Sequence, residues 1–258
     1  MRDPLAISFS VWRAIFLREA VDRLFDMRAA WFWLLAEPVM HIGFITFVFT
    51  VIRMRTVSNA DVVIWIVAGM LAFFLFRRTG TQVSHAVDSN KPFFTYRQLK
   101  PFDTVIARAV LEAFVMCLVS AVILCAVALL GHQVLPADSL WVLLAALGLW
   151  LFAIGYGLIA AVLIELVPES QHVLKIIMMP MYIISGVIFP LAAIPKPYID
   201  YLMFNPVAHG IELVRAGFFS GYYVVPGTSI AYLYACAIST VFLGLLLFRR
   251  YDDQLVMR

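Results

Sequence analysis

Six apolar runs, at about Ala29 to Ile52, Val62 to Phe76, Thr104 to Leu130, Leu140 to Val167, Val173 to Pro190 and Ser229 to Phe248, constrain this chain more than anything else in it. Crossing about 30 Å of hydrocarbon at about 1.5 Å per residue takes about 20 mostly apolar residues, and such a segment satisfies its backbone in lipid by coiling into a helix. With 64% of 258 residues hydrophobic and only 14% charged, a water-soluble fold has nowhere to bury the surplus. The expectation is an all-α polytopic membrane protein of six transmembrane helices with no large domain outside the bilayer.

The second run holds about fifteen apolar residues and is expected to continue as a helix into the polar stretch Arg77 to Ser89. Ahead of the first run, Phe9 to Arg28 carries Trp12, Ile15, Phe16, Val21, Leu24 and Phe25 at helical spacing, with arginines and acids on the other face. That pattern predicts an amphipathic helix lying in the membrane interface. Between the fifth and sixth runs, about 188–228 is too apolar for a solvated loop, yet Pro195, Pro197, Pro206, Gly217, Gly221 and Pro226 interrupt it. Short re-entrant or interfacial helices fit, because irregular backbone survives at membrane depth only where protein or a watery cavity satisfies it. The chain therefore divides into an interfacial helix, 1–28, and a six-helix transmembrane domain, 29–258.

Charge sets the orientation. Fifteen Lys and Arg fall on the side of the N-terminal helix, the 77–108 stretch, Lys175 and the C-terminus, against Arg53, Arg55, Lys196 and Arg215 on the other. The positive-inside rule then puts both termini in the cytoplasm and 191–228 on the far side. The net charge of +3 is spread over membrane ends and points to no nucleic acid. Arg13, Arg18, Glu19 and Asp22 break up what would be the core of a cleavable signal peptide. Cys117, Cys125 and Cys236 lie inside apolar runs without CxxC spacing and are expected to be small buried hydrophobes, not metal ligands.

Transport needs energy, and the sequence contains no GxxxxGK[ST] phosphate loop, so ATP hydrolysis would reside in another chain. Intramembrane carboxylates are few: Glu37, Glu112 and Glu165. Glu37 and His41 share a helix face across Pro38, which reads either as a polar stripe on a hydrated path or as an interhelical hydrogen bond. Arg108 and Glu112 are also four apart, as a helix-end ion pair would be; alternatively Arg108, with Arg23 and Arg28, meets an anionic lipid headgroup.

The stretch from Ser89 to Glu112 is the most informative. A short amphipathic segment, about 90–101, is bracketed by Pro92 and Pro101 and leads straight into a span, which predicts a rigid two-turn helix across the inner mouth. This closely resembles the coupling helix of capsular polysaccharide ABC exporter permeases, members of the type-two ABC exporter superfamily. Trp33-Leu-Leu-Ala-Glu-Pro-Val-Met-His41 resembles the family's opening signature. Tyr182-Ile-Ile-Ser-Gly-Val-Ile-Phe-Pro190, followed by Asn205-Pro-Val-Ala-His-Gly-Ile-Glu-Leu-Val-Arg215, resembles its fifth span, re-entrant turn and Asn-Pro helix. One departure is Arg28-Ala-Ala before Trp31, where relatives often carry glycine.

The resemblance implies a non-catalytic inner-membrane permease that forms a homodimer with two copies of an ATPase subunit. It would move lipid-linked capsular polysaccharide toward a periplasmic co-polymerase or adaptor and an outer-membrane exporter. No cofactor is expected in this chain, since the partner ATPase would bind ATP and Mg. The resemblance implies ATPase coupling through Asn90, Lys91, Pro92, Phe93, Tyr96, Arg97 and Lys100, with a shorter contact at Glu169 and His172. It also implies a conduit lined by the first and fifth spans, where Trp31, Trp33, Glu37, His41, Phe44, Tyr182 and Phe189 are the candidates. Two rivals stand beside this reading: an exporter of O-antigen, teichoic acid or drugs, and a membrane enzyme acting on lipid-linked sugars, which would need clustered acids or histidines.

Overall fold

The structure, a computed structural model, describes residues 4–25, 30–52, 56–57, 60–94 and 99–257. The described residues are almost entirely helical, with one two-residue hairpin pairing β1 (Thr56–Val57) with β2 (Ala60–Asp61). The helices are α1 (Pro4–Phe25), α2 (Ala30–Ile52), α3 (Val62–Ser84), α4 (Pro101–Leu129), α5 (Ser139–Leu166), α6 (Ser170–Ile184), α7 (Tyr198–Leu202), α8 (Pro206–Phe218), α9 (Ile230–Arg250) and α10 (Asp252–Met257). Two 3₁₀ helices, Asp88–Phe93 and Leu191–Ala193, punctuate them.

Side chains at the helix starts set where each begins. Asp61 and Asp138 accept hydrogen bonds from the amides of Val63 and Trp141, capping α3 and α5 at 2.8 and 2.9 Å. Asn205 caps α8 through Val207 N at 3.0 Å, with Pro206 in the first turn, where a missing N–H costs nothing. Pro101 opens α4 in the same way, while Asp103 accepts from the Lys100 amide at 3.0 Å.

Among the described residues, α2, α3, α4, α5 and α9 are long and apolar enough to cross a membrane. As the sequence predicts, α3 runs on past Phe76, as far as Ser84. The fifth apolar run gives a shorter helix than its length suggests. It spans 15 residues, about 22 Å at 1.5 Å per residue, because Ser185 and Gly186 end it. Gly186 turns the chain at φ +72°, and a Cβ there would meet Leu191 Cγ at 2.5 Å. From there the chain doubles back through α7 and α8 to α9.

At the centre of the bundle is α3, its side chains buried almost throughout from Val62 to Phe74 against α2, α4, α5 and α8. The main packing partner of α9 is α5. Gly155 lets their backbones close, since a Cβ there would fall 2.6 Å from the Val241 amide nitrogen. By contrast α2 and α6 are largely uncovered: Trp33, Met40, Phe44 and Phe47 on one, and Ile176 and Met179 on the other, are exposed, and Ser170 is the single buried residue of α6. Cys117 and Cys125 correct an expectation: both are exposed on α4, and Cys236 is half-buried. A small thiol on a lipid-facing helix surface needs no burial.

Candidate functional site

Two sparsely covered helices border a cleft. Between α2 and α6, floored by α3 and α5, lies a cavity of about 470 Å³. Its lining includes Trp33 and Glu37 from α2, Arg77, Arg78 and Gln82 from α3, Tyr156 from α5, and Gln171 and Lys175 from α6, with His85 beside them. Three permanent cations face one lining carboxylate. Arg77 stacks over the Phe74 ring at 4.9 Å and lies 3.7 Å from Glu37; Arg78 lies 3.4 Å from Glu112, whose side chain is fully buried. Burial holds the His85 imidazole below its ordinary value, opposed by Asp88 and assisted by Lys175 and Arg108. Such a lining attracts an oxyanion, and Trp33 and Tyr156 add aromatic surface for an apolar or sugar face. A second cavity, of about 570 Å³ between α3, α4 and α5, has no charged residue in its lining.

Of the stretch read as a rigid rod, residues 90–94 and 99–101 are described. Pro92 sits inside the 3₁₀ helix Asp88–Phe93 instead of at its start, and the next helix begins at Pro101. Tyr96 and Arg97 lie outside the described residues. Pro92, Phe93 and Lys100 are exposed, as are Glu169, just before α6, and His172, in its first turn. Asn90 and Lys91 turn inward. The Asn90 amide, 1% exposed, donates to Glu19 Oε1 at 2.9 Å and to the Ala86 carbonyl at 2.8 Å, and Arg18 donates to its oxygen. Lys91 Nζ reaches Glu165 Oε1 at 2.7 Å and Asp88 at 3.1 Å. These two side chains are engaged within the chain.

The pairing of Arg108 with Glu112 is corrected as well. Arg108 Nε and Nη2 both reach Glu19 at 2.9 Å, and Nη1 lies 3.3 Å from the Ser89 hydroxyl. Glu112 belongs to Arg78 instead. Helical spacing puts Arg108 and Glu112 on one face, but α1 brings Glu19 across the top of α4 and offers a bidentate partner. Trp12 Nε1 donates to Asp103 at 2.7 Å and Arg18 stacks on Phe93 at 4.0 Å, so α1 is fastened to α4 and the 3₁₀ helix. The side chains of Arg23 and Arg28 lie outside the description, as does that of Trp31.

Of the proposed conduit residues, Trp33, Phe44 and Phe189 are exposed and Tyr182 is half-buried. Glu37 and His41 line one small cavity with Phe74, Arg77 and Arg78, where Glu37 faces Arg77 and His41 sits edge-on to Phe74 and Tyr182, with ring centroids 5.5 and 5.9 Å away.

The residue sequence reasoning most misplaced is Arg215, counted as an outer-side charge and found fully buried. Its guanidinium donates to the Gly186 and Val187 carbonyls at 2.8 Å each, to Trp65 O and Glu212 at 3.3 Å each, and stacks on the Trp65 ring at 3.4 Å. Gly69 makes the room, since a Cβ there would fall 2.2 Å from Nη2. Tyr222 closes the cluster, its hydroxyl 3.3 Å from Glu212 Oε2. The signal was an arginine in an apolar, proline-bounded stretch, where a charge needs internal partners.

The fold defines an all-α polytopic membrane protein with a cleft between α2 and α6. Residues 10–219 match the family described as ABC-2 type transporter, and the chain belongs to that family. It is 34% identical to the polysialic acid transport protein KpsM of Escherichia coli, across 94% of each chain. It is 28% identical to the capsule polysaccharide export inner-membrane protein CtrC of Neisseria meningitidis and 24% identical to BexB of Haemophilus influenzae. Each of these alignments covers 97% of this chain and 94% of the relative.

Proposed function

We propose that this chain is the permease of an exporter that moves a lipid-linked capsular polysaccharide across the inner membrane, driven by a separate ATPase. The carrying observation is the cation-lined cleft between the sparsely covered helices α2 and α6, in a chain of this family. The names of its relatives support the cargo. The anionic end of the lipid carrier enters sideways from the inner leaflet at Arg77, Arg78 and Lys175, and the polymer follows along the aromatic side chains of α2 and α6. Two copies of the chain, each bound to one ATPase, face one another across this seam, and a periplasmic adaptor receives the polymer.

Both termini are cytoplasmic in this reading, with the 3₁₀ helix 88–93 and the start of α6 at Glu169–His172 beneath the bilayer and 191–228 on the periplasmic side. The distribution of Lys and Arg supports that orientation. The test is export of lipid-linked polymer by the permease–ATPase complex in proteoliposomes. Arg77→Gln and Lys175→Gln are expected to raise the polymer concentration needed for half-maximal export about tenfold while ATP hydrolysis continues. Unchanged export in both variants refutes the entry site; export without an ATPase refutes the reading as a whole.

A further inference from the structure

The residues of the 3₁₀ helix that reach into the protein say more than those that reach out. Lys91 and Asn90 are neighbours in sequence, yet they are tied to different helices. Lys91 bonds to Glu165, one residue before the end of α5, and that carboxylate side chain is 8% exposed. After Leu166 only three residues separate α5 from α6. Since α6 buries only Ser170 and touches the bundle chiefly through α5, its inner end follows wherever the end of α5 goes.

On the other side, Asn90 bonds to Glu19 of α1, and Arg108 of α4 grips the same carboxylate. In the chain α1 directly precedes α2. The two helices that border the cleft are thus each the next helix after one to which residues 88–93 are tied.

We infer that Lys91 is a positioning residue, a strut that passes motion of the 3₁₀ helix through Glu165 to the α6 wall of the cleft. The inference rests on the exporter reading. Burial works against the Lys91 charge, but Glu165 and Asp88 outweigh it and hold the ammonium above its ordinary value, so the strut stays charged across physiological pH. Two hydrogen-bonded anchors at one segment make it stiff without a long regular helix, which answers how a six-residue piece can transmit force.

The test compares Lys91→Met, Glu165→Gln and the exchanged pair Lys91→Glu with Glu165→Lys in the full permease–ATPase complex, reconstituted with lipid-linked polymer. ATPase recovered per permease, ATP hydrolysed and polymer moved are measured separately. Each single variant is expected to keep the ATPase and hydrolyse within about twofold of the parent, but to move at least tenfold less polymer per ATP. The exchanged pair is expected to recover at least half of that ratio. Spin labels at residues 93 and 173 give a readout without cargo: their separation stays fixed through an ATP cycle in the parent and spreads in Glu165→Gln. Loss of ATPase binding in Lys91→Met with no recovery in the exchanged pair overturns the inference in favour of a direct contact. Parental polymer-to-ATP ratios in both single variants overturn it too. A parent complex that hydrolyses ATP and moves no polymer instead sinks the exporter reading, while the spin-label result still decides the strut.

Discussion

Replacing Arg215 by Met removes the charge that compensates Glu212 while keeping much of the side-chain volume. Both side chains are at most 1% exposed, so the orphaned carboxylate cannot recruit water. Removing one partner of a buried ion pair typically costs about 3–5 kcal/mol. The carbonyls of Gly186 and Val187 lose their 2.8 Å donors as well, which keeps the cost toward the upper end. At about 1.4 kcal/mol per tenfold, the ratio of folded to unfolded protein falls about a thousandfold. Adding Glu212→Gln removes the stranded charge and is expected to return at least about 1 kcal/mol, since contacting residues couple on that scale. The assay is reversible unfolding in mixed detergent micelles followed by tryptophan fluorescence, to which Trp65, under the guanidinium, contributes directly. An Arg215→Met variant within about 1 kcal/mol of the parent, or a double variant no better than the single, refutes the reasoning.

Two further outcomes follow from the inner face. Glu19→Ala leaves Arg108 buried without its bidentate partner and frees α1 from α4, so trypsin is expected to cut within residues 13–28 at least tenfold faster, at an expense of about 3 kcal/mol in stability; unchanged cleavage contradicts the clamp. Because burial depresses the His85 pKa, its neutral form stabilises the fold above the ordinary imidazole range, and that contribution is lost as pH falls through the depressed value. An anion entering the cavity favours the protonated ring, so NMR titration of His85 is expected to show an upward pKa shift with short-chain phosphatidylglycerol and none with phosphatidylcholine. No shift with either lipid contradicts anion entry.

Long helices were legible because each apolar run must satisfy its own backbone in lipid, whatever its neighbours do. The continuation of α3 into Arg77–Ser84 could be read for the same reason, since a fifteen-residue run is too short alone. Tertiary pairing was not legible. Arg108 stands at the right spacing for Glu112, but its partner Glu19 is 89 residues away and arrives only because α1 folds across α4. The inward turn of Asn90 and Lys91 is equally non-local, set by Glu19 and Glu165 on separate helices. At the end of α6, Asn205 Nδ2 donates to the Ser185 hydroxyl at 2.7 Å, a contact from twenty residues on. Hydropathy reports depth in the membrane, whereas these contacts report which helix lies beside which.

That the α2–α6 seam carries the polymer can be tested by placing a photoreactive phenylalanine analogue at Trp33, in the cleft, and at Leu147, in the uncharged cavity between α3, α4 and α5. Illumination of the complex during ATP-driven export should join polysaccharide to position 33 and only phospholipid to position 147. Equal polysaccharide labelling at both, or labelling at 147 alone, would mean that the cargo takes another route.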